Sequence, residues 1–291
     1  MGFVLGIGSA IFFAAASICF KLGQRGHPSD NGLFLSLLVN VVLLGTASLF
    51  LDWPTWTTGG FLGFIAGGLL GSVGGRASNL RAIRSVGPSR ANAFLAGNPF
   101  VAAIVGWFLL DETLGLREFA GGALVIAGLV WLVRARSDDG SAPDHPSARG
   151  YAWAATAPLF FGFAFAVRKW SLILFPSTVI GAFIGSTAAL IAVTVTQSRT
   201  DSLARLLGRN LRPPPPWYLA AGVATSVALL SQFTAFSYLP AWVVGILQGT
   251  QGIWTLVFGW LFLREDERID ARLVGAIVLV AAGVILIGLE V

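Results

Sequence analysis

Residues 99–112, PFVAAIVGWFLLDE, come back 153 positions later as residues 252–265, GIWTLVFGWLFLRE. Each copy is an apolar run closed by a glutamate, and at this offset Gly106-Trp107, Leu110 and Glu112 fall on Gly259-Trp260, Leu263 and Glu265. The register continues outward: Gly122-Ala123 meets Gly275-Ala276, Asn79 meets Gln232, and Asn98 meets Gln251. At an offset of 148, Phe12-Phe13 and Lys21 meet Phe160-Phe161 and Lys169. Gly and Ala coincide readily between apolar segments, so the Trp, Glu, Lys and amide matches carry the weight. They imply an internal duplication.

The surroundings say what is duplicated. The chain of 291 residues is 55% hydrophobic and 11% charged, with mean hydropathy +0.78, against about 25% charged residues in a soluble domain. A soluble core this apolar would leave large greasy patches in water, whereas lipid accepts them. The strands of a membrane barrel alternate apolar and polar residues; here the apolar runs are continuous, about 18 to 22 residues long, which is the length of a helix spanning ~30 Å of hydrocarbon. Breakers and charges place ten helices near 2–20, 33–51, 60–80, 91–110, 117–134, 150–168, 178–196, 217–238, 241–263 and 272–289. Gly26 and Pro28, Asp52 and Pro54, Gly87-Pro88 and the proline run 213–216 punctuate them. The polar stretch 137–149, SDDGSAPDHPSAR, reads as a linker between a first unit, 1–136, and a second, 150–291. An odd number of helices per unit forces the second copy into the membrane upside down. The expected fold is therefore an all-α membrane protein of ten transmembrane helices, arranged as two inverted five-helix repeats.

The net charge of +5 and a pI near 10.1 do not point to nucleic acid, because no platform of aromatic and basic residues lies outside the apolar runs. Lys and Arg instead report orientation. Fifteen fall on the side of loops 1–2, 3–4, 5–6, 7–8 and 9–10; Arg117, Arg168 and Lys169 fall on the other; Arg76 lies within the third helix. That bias puts the fifteen in the cytoplasm of a bacterial inner membrane and both termini outside. Loop 7–8 agrees, since Leu203, Leu206, Leu207 and Leu211 form one helical face with Arg205, Arg209 and Arg212 toward anionic headgroups; a solvated loop is the alternative. The single cysteine, Cys19, permits neither a disulfide nor a Cys-rich metal site. The first apolar run lacks a basic leader and a cleavage site, and reads as a retained helix.

The glutamate-closed fourth helix of each unit, followed by a Gly-rich fifth helix, resembles the EamA-type proteins of the drug/metabolite transporter superfamily, which carry two copies of a five-helix domain. The resemblance covers essentially the whole chain, although Gly252 stands where the family pattern has proline. It implies a secondary transporter, an exporter of an amino acid or other small polar metabolite working by alternating access. Families related to it exchange phosphorylated sugars or nucleotide sugars, which leaves an exchanger of phosphorylated metabolites open. Many relatives keep both termini in the cytoplasm, contrary to the Lys/Arg bias.

Polar residues inside apolar helices are the candidate site. Arg76 lies about two turns inside the expected end of helix 3, where a charge costs roughly 2.5 to 3.5 kcal/mol. It either snorkels toward headgroups with Arg81 and Arg84, or binds a carboxylate or phosphate of a substrate. Asn79, Asn98, Gln232, Gln248 and Gln251 must face inward, as interhelical hydrogen bonds or as the lining of a midplane cavity; Asn92 joins them. Phe12, Phe13, Phe160 and Phe161, with Trp153 and Phe163, supply either cavity walls or lipid-facing packing. Lys21 and Lys169 follow topology or act as gate charges. Glu112 and Glu265, with Arg117 and Arg268 nearby, read as caps and salt-bridge partners.

His27 and His145 fall in loops, and no helix carries a cluster suited to a metal or to acid–base catalysis, so neither an enzyme nor a cofactor is expected. The expected partners are a small-molecule substrate and the lipid bilayer, not nucleic acid. A monomer suffices for transport on this reading, and proton coupling stays open because no buried carboxylate stands out. A channel or a non-transporting receptor or scaffold remains as the alternative. A reporter active only in the cytoplasm, fused after Val291, is expected to be silent; strong activity would place that terminus inside.

Overall fold

The computed structural model describes residues 1–26, 32–86, 94–95, 97–112, 115–137, 148–198 and 216–263, together with 275, 278–280, 282–283 and 286. The linker core, loop 7–8, His27, His145, Asn92, Glu265 and Arg268 lie outside the described residues. The described elements are helical: α1 (Gly2–Gly26), α2 (Gly32–Ser48), α3 (58–86), α4 (Asn98–Leu110), α5 (Leu116–Ser137), α6 (Ala148–Leu174), α7 (Thr178–Ser198), α8 (Pro216–Phe236), α9 (Ala241–Gly249) and α10 (Gln251–Phe258). The described residues of the last apolar run are helical too. Among the described residues five helices are long and apolar enough to cross a bilayer, covering Gly2–Phe20, Thr58–Asn79, Ala148–Leu174, Thr178–Ser198 and Pro216–Phe236. In hydrocarbon the helix is the form that satisfies each backbone group within its own segment.

Several helices outrun the charges read as their ends. The correction that matters is in α6, which continues past Arg168 and Lys169 to Leu174; residues 170–174, WSLIL, are apolar apart from Ser171, and the Ser177 N–H donates to the carbonyl of Phe175 just beyond them. Arg168 is therefore a buried helical residue, 6% exposed, and not a loop charge. Helix α3 runs on to Val86 and contains a π-helical stretch, Leu69–Gly75, directly before Arg76. Such stretches insert a residue into the helical ladder and recur at functional positions.

The duplication is visible in the backbone. Gly97 interrupts the helical run before α4, with its N–H donating to the carbonyl of Phe94 at 2.9 Å; Thr250 interrupts the run between α9 and α10, donating to that of Leu247 at 3.1 Å. Beyond each break, Phe100 and Val101 bond to the Gly97 carbonyl as Ile253 and Trp254 bond to that of Thr250. Every one of these positions is related to its counterpart by the offset of 153. The packing repeats in the same way: α1 lies on α8 as α6 lies on α3, α9 and α10 on α1 as α4 on α6, and α8 on α2 as α3 on α7, with α2 against α7.

Between α3 and α7 the backbones nearly touch, because a Cβ on Gly68 would collide with the carbonyl of Gly185. Small residues permit this approach where no hydrophobic force separates helices from lipid. Asn40 secures a second contact: its amide nitrogen faces the carbonyls of Ser36 and Gly222 and the Ser226 hydroxyl at 2.8 to 3.1 Å. Gly68→Leu is expected to lose about 1 to 3 kcal/mol and to lower the melting temperature in detergent. Gly8→Ala, whose new methyl meets nothing within 4 Å, serves as the control and should be neutral or slightly stabilising.

Candidate functional site

A run of side-chain hydrogen bonds crosses the interior. Arg168 Nη1 donates to Gln232 Oε1 at 3.1 Å, Gln232 Nε2 to Gln248 Oε1 at 3.2 Å, Gln248 Nε2 to Gln251 Oε1 at 3.3 Å, and Gln251 Nε2 to Ser17 Oγ at 3.4 Å. Ser9 Oγ also donates to Gln248 Oε1, at 2.8 Å. Gln232 and Gln248 are buried, and Ser9 fully so. The orientation of the series follows from its first member, since guanidinium can only donate and each amide must then turn its oxygen toward the arginine and its nitrogen away. Ser9 and Ser17 lie in the first unit and the other four residues in the second.

Local structure puts these groups in place. Arg168 rests on α3 where glycines leave room: a Cβ on Gly67 would sit 2.7 Å from its Cγ, and one on Gly71 2.6 Å from its Nη2. Its Cζ lies 5.6 Å from the centroid of Phe233, within cation–π range, and Phe233 packs with Phe64 and Phe236. Gln248 and Gln251 flank the break at Thr250, whose hydroxyl donates to the carbonyl of Leu247 at 2.6 Å.

Of the residues singled out in the sequence, Gln232, Gln248 and Gln251 join this series. Asn79 and Asn98 do not, and each holds a buried Oδ1 with no hydrogen-bond partner among the described residues. Arg76 is half-buried in α3, with no hydrogen bond or ion pair among the described residues. Phe160 and Phe161 fill the space beside Gly74 and Gly75; Phe13 packs on the core, and Phe12 is 40% exposed. Sequence reasoning missed Arg168, Ser9 and Ser17. The apolar run continuing after Lys169 was the signal for the arginine; serines within α1 carried none.

At one end of the bundle a second cluster joins the two units. Asp111 adopts a left-handed conformation, φ 51°, after α4, which aspartate tolerates better than most residues. Glu112 then folds back so closely that a Cβ on Gly106 would lie 2.7 Å from its Oε2, and this explains the glycine in the Gly-Trp motif. The Glu112 carboxylate accepts from the N–H of Ala241 at 2.9 and 3.1 Å, at the N-terminus of α9, and pairs with Lys169 Nζ at 2.9 Å. Lys169 also donates to the carbonyl of Leu239 at 2.8 Å. Glu112 is thus a cap and an ion-pair partner, but for another helix and another cation than its sequence neighbours. A recess of about 440 Å³ outside this latch, lined by Lys169, Ile173, Pro176, Tyr238 and Pro240 among others, holds none of the polar series.

Glu112→Gln leaves Lys169 without its anion. It is expected to cost about 3 kcal/mol of unfolding free energy, as breaking a buried pair does, while Glu112→Gln with Lys169→Met recovers part of the loss. Reversible unfolding in mixed micelles measures both, and equal stability of all three proteins would show that the pair bears no structural load.

Comparison with known proteins fits this architecture. No curated protein matches. A solved structure described only as "Crystal structure of protein" superposes with a TM-score of 0.72 over 98% of this chain and 95% of its own, at 16% identity, a likeness of fold alone. The model of the EamA-like transporter family, a family of transporters rather than enzymes, matches twice, over residues 1–134 and 148–289. These two matches span nearly the whole chain, and the protein belongs to the EamA-like transporter family, as an integral membrane protein built from two copies of one helical unit.

Proposed function

We propose that this protein is a secondary transporter of a small polar solute, an amino acid or similar metabolite, which it exports by alternating access through a site where the two units meet. The observation carrying this reading is the hydrogen-bonded series from Arg168 to Ser17, buried and drawn from both units. Amides that serve only as glue find partners and stop; here the buried oxygens of Asn79 and Asn98 still lack donors, a cost of about 1 to 3 kcal/mol each that a polar solute or water offsets. The helix breaks at Gly97 and Thr250 beside Asn98 and Gln251 match the interrupted helices that build such sites.

On this reading ten helices cross the membrane as two five-helix units of opposite orientation, and both termini lie outside the cytoplasm. The interchange of helix pairings between units supports a two-fold relation, and an odd number of spans per unit supports an axis in the membrane plane. The Glu112–Lys169 latch supports a carrier over a channel, because it ties α4, α6 and the turn before α9 together at one end. Arg168 and Lys169 both fall inside α6, toward its outer end, and the Lys/Arg bias still supports this orientation.

In proteoliposomes, labelled amino acids and small metabolites should show saturable flux with counterflow, and Gln248→Leu should reduce it at least about tenfold, the loss of ~1.4 kcal/mol of binding. Flux that rises linearly with concentration and voltage would indicate a channel. Binding without flux would indicate a receptor.

A further inference from the structure

We propose that the site takes a solute through its oxyanion, a carboxylate or phosphate held between Arg76 and Arg168; this rests on the transporter reading above. The argument begins with helix direction. Gly60 faces Phe175 and Gly75 faces Phe161, so α3 and α6 run antiparallel. Long side chains on a helix lean toward its N-terminus, and in an antiparallel pair Arg76 and Arg168 therefore lean toward each other. The Arg168 guanidinium lies against Gly71, about one and a half turns from Arg76.

Among the described residues no anion pairs with either arginine. The one ion pair among the described residues is Lys169–Glu112, and the acceptor for Arg168 is the neutral amide of Gln232. Two like charges inside a bundle need an anion. Guanidinium forks match the geometry of carboxylate and phosphate oxygens.

The arginines also stand outside the duplicated framework. The repeat offsets that align Lys169 with Lys21 and Gln232 with Asn79 put Phe20 opposite Arg168 and Leu229 opposite Arg76. The cationic pair thus lies on the α3–α6 contact, and the equivalent α1–α8 contact carries none at those positions. A charge required only for packing would serve both contacts equally; a charge that reads the solute is needed once.

The test is a thermal-shift and uptake screen of organic acids, amino acids and phosphorylated metabolites, each beside its ester, amide or dephosphorylated form, and beside simple amines. Members that stabilise the protein should all carry an oxyanion, and their neutralised forms should not. Arg168→Gln should weaken binding at least about tenfold, and Arg168→Lys should retain part of it. Because removing a buried arginine can disturb folding, Gln232→Glu is the second variant. It sets a carboxylate of almost the same shape 3.1 Å from Arg168 Nη1, and should raise the melting temperature while lowering oxyanion affinity. Oxyanion binding that survives Arg168→Gln and Gln232→Glu, equal binding of esters or amines, or no oxyanion bound at all would overturn the assignment. Saturable flux of uncharged solutes would overturn it and leave the transporter reading standing; oxyanion binding without any flux would do the reverse.

Discussion

A guanidinium group inside a lipid-facing bundle can neither lose its proton nor accept a hydrogen bond, and much of the interior is arranged around that fact. Arg168 dictates the orientation of Gln232, which dictates that of Gln248, and so on to Ser17 on a helix of the other unit. The glycines of α3 make the space it occupies, and Phe233 covers it. Replacing any one amide in the series by an apolar residue would leave its neighbours with donors or acceptors pointing at nothing, which in a medium without water is costly.

Duplication supplied the frame and divergence the character of the interior. The breaks at Gly97 and Thr250 share their backbone hydrogen bonds but not their residues, which means that the geometry persisted while the side chains changed. Asn98 and Gln251 kept an amide at the break, whereas Leu95 stands where the second unit has Gln248. The polar series therefore runs on one side of the pseudo-symmetry and leaves the corresponding amides of the first unit with unpartnered oxygens.

Much of this was legible beforehand, and the failures have physical causes. Apolar runs, the repeat and the amides came straight from the sequence, because a buried polar residue in lipid is conspicuous. Arg168 was hidden by the rule that charges end membrane helices. The rule works where water is near, and here the helix carries its cation on past the point where water would be expected. Glu112 was assigned the right kind of work with the wrong partners, since Lys169 and Ala241 lie far away in sequence and are brought to it only by folding. The break at Thr250 was not read at all, since residues 241–263 are apolar enough to pass as one helix and Gly249 and Gly252 are common inside membrane helices.

The latch has a consequence for the surroundings in which the protein works. Surface ion pairs fade as the medium grows saltier, because mobile counter-ions crowd between the partners within a Debye length of about 8 Å at physiological ionic strength. Glu112 and Lys169 are 8% and 18% exposed, and the carboxylate is engaged by a backbone N–H as well. A counter-ion can approach Lys169 from the recess beside it, but the carboxylate is enclosed by its partners. The join between the two units at this end therefore feels the ionic strength of the fluid that bathes it less than a surface pair would, and should loosen little between dilute and brackish water.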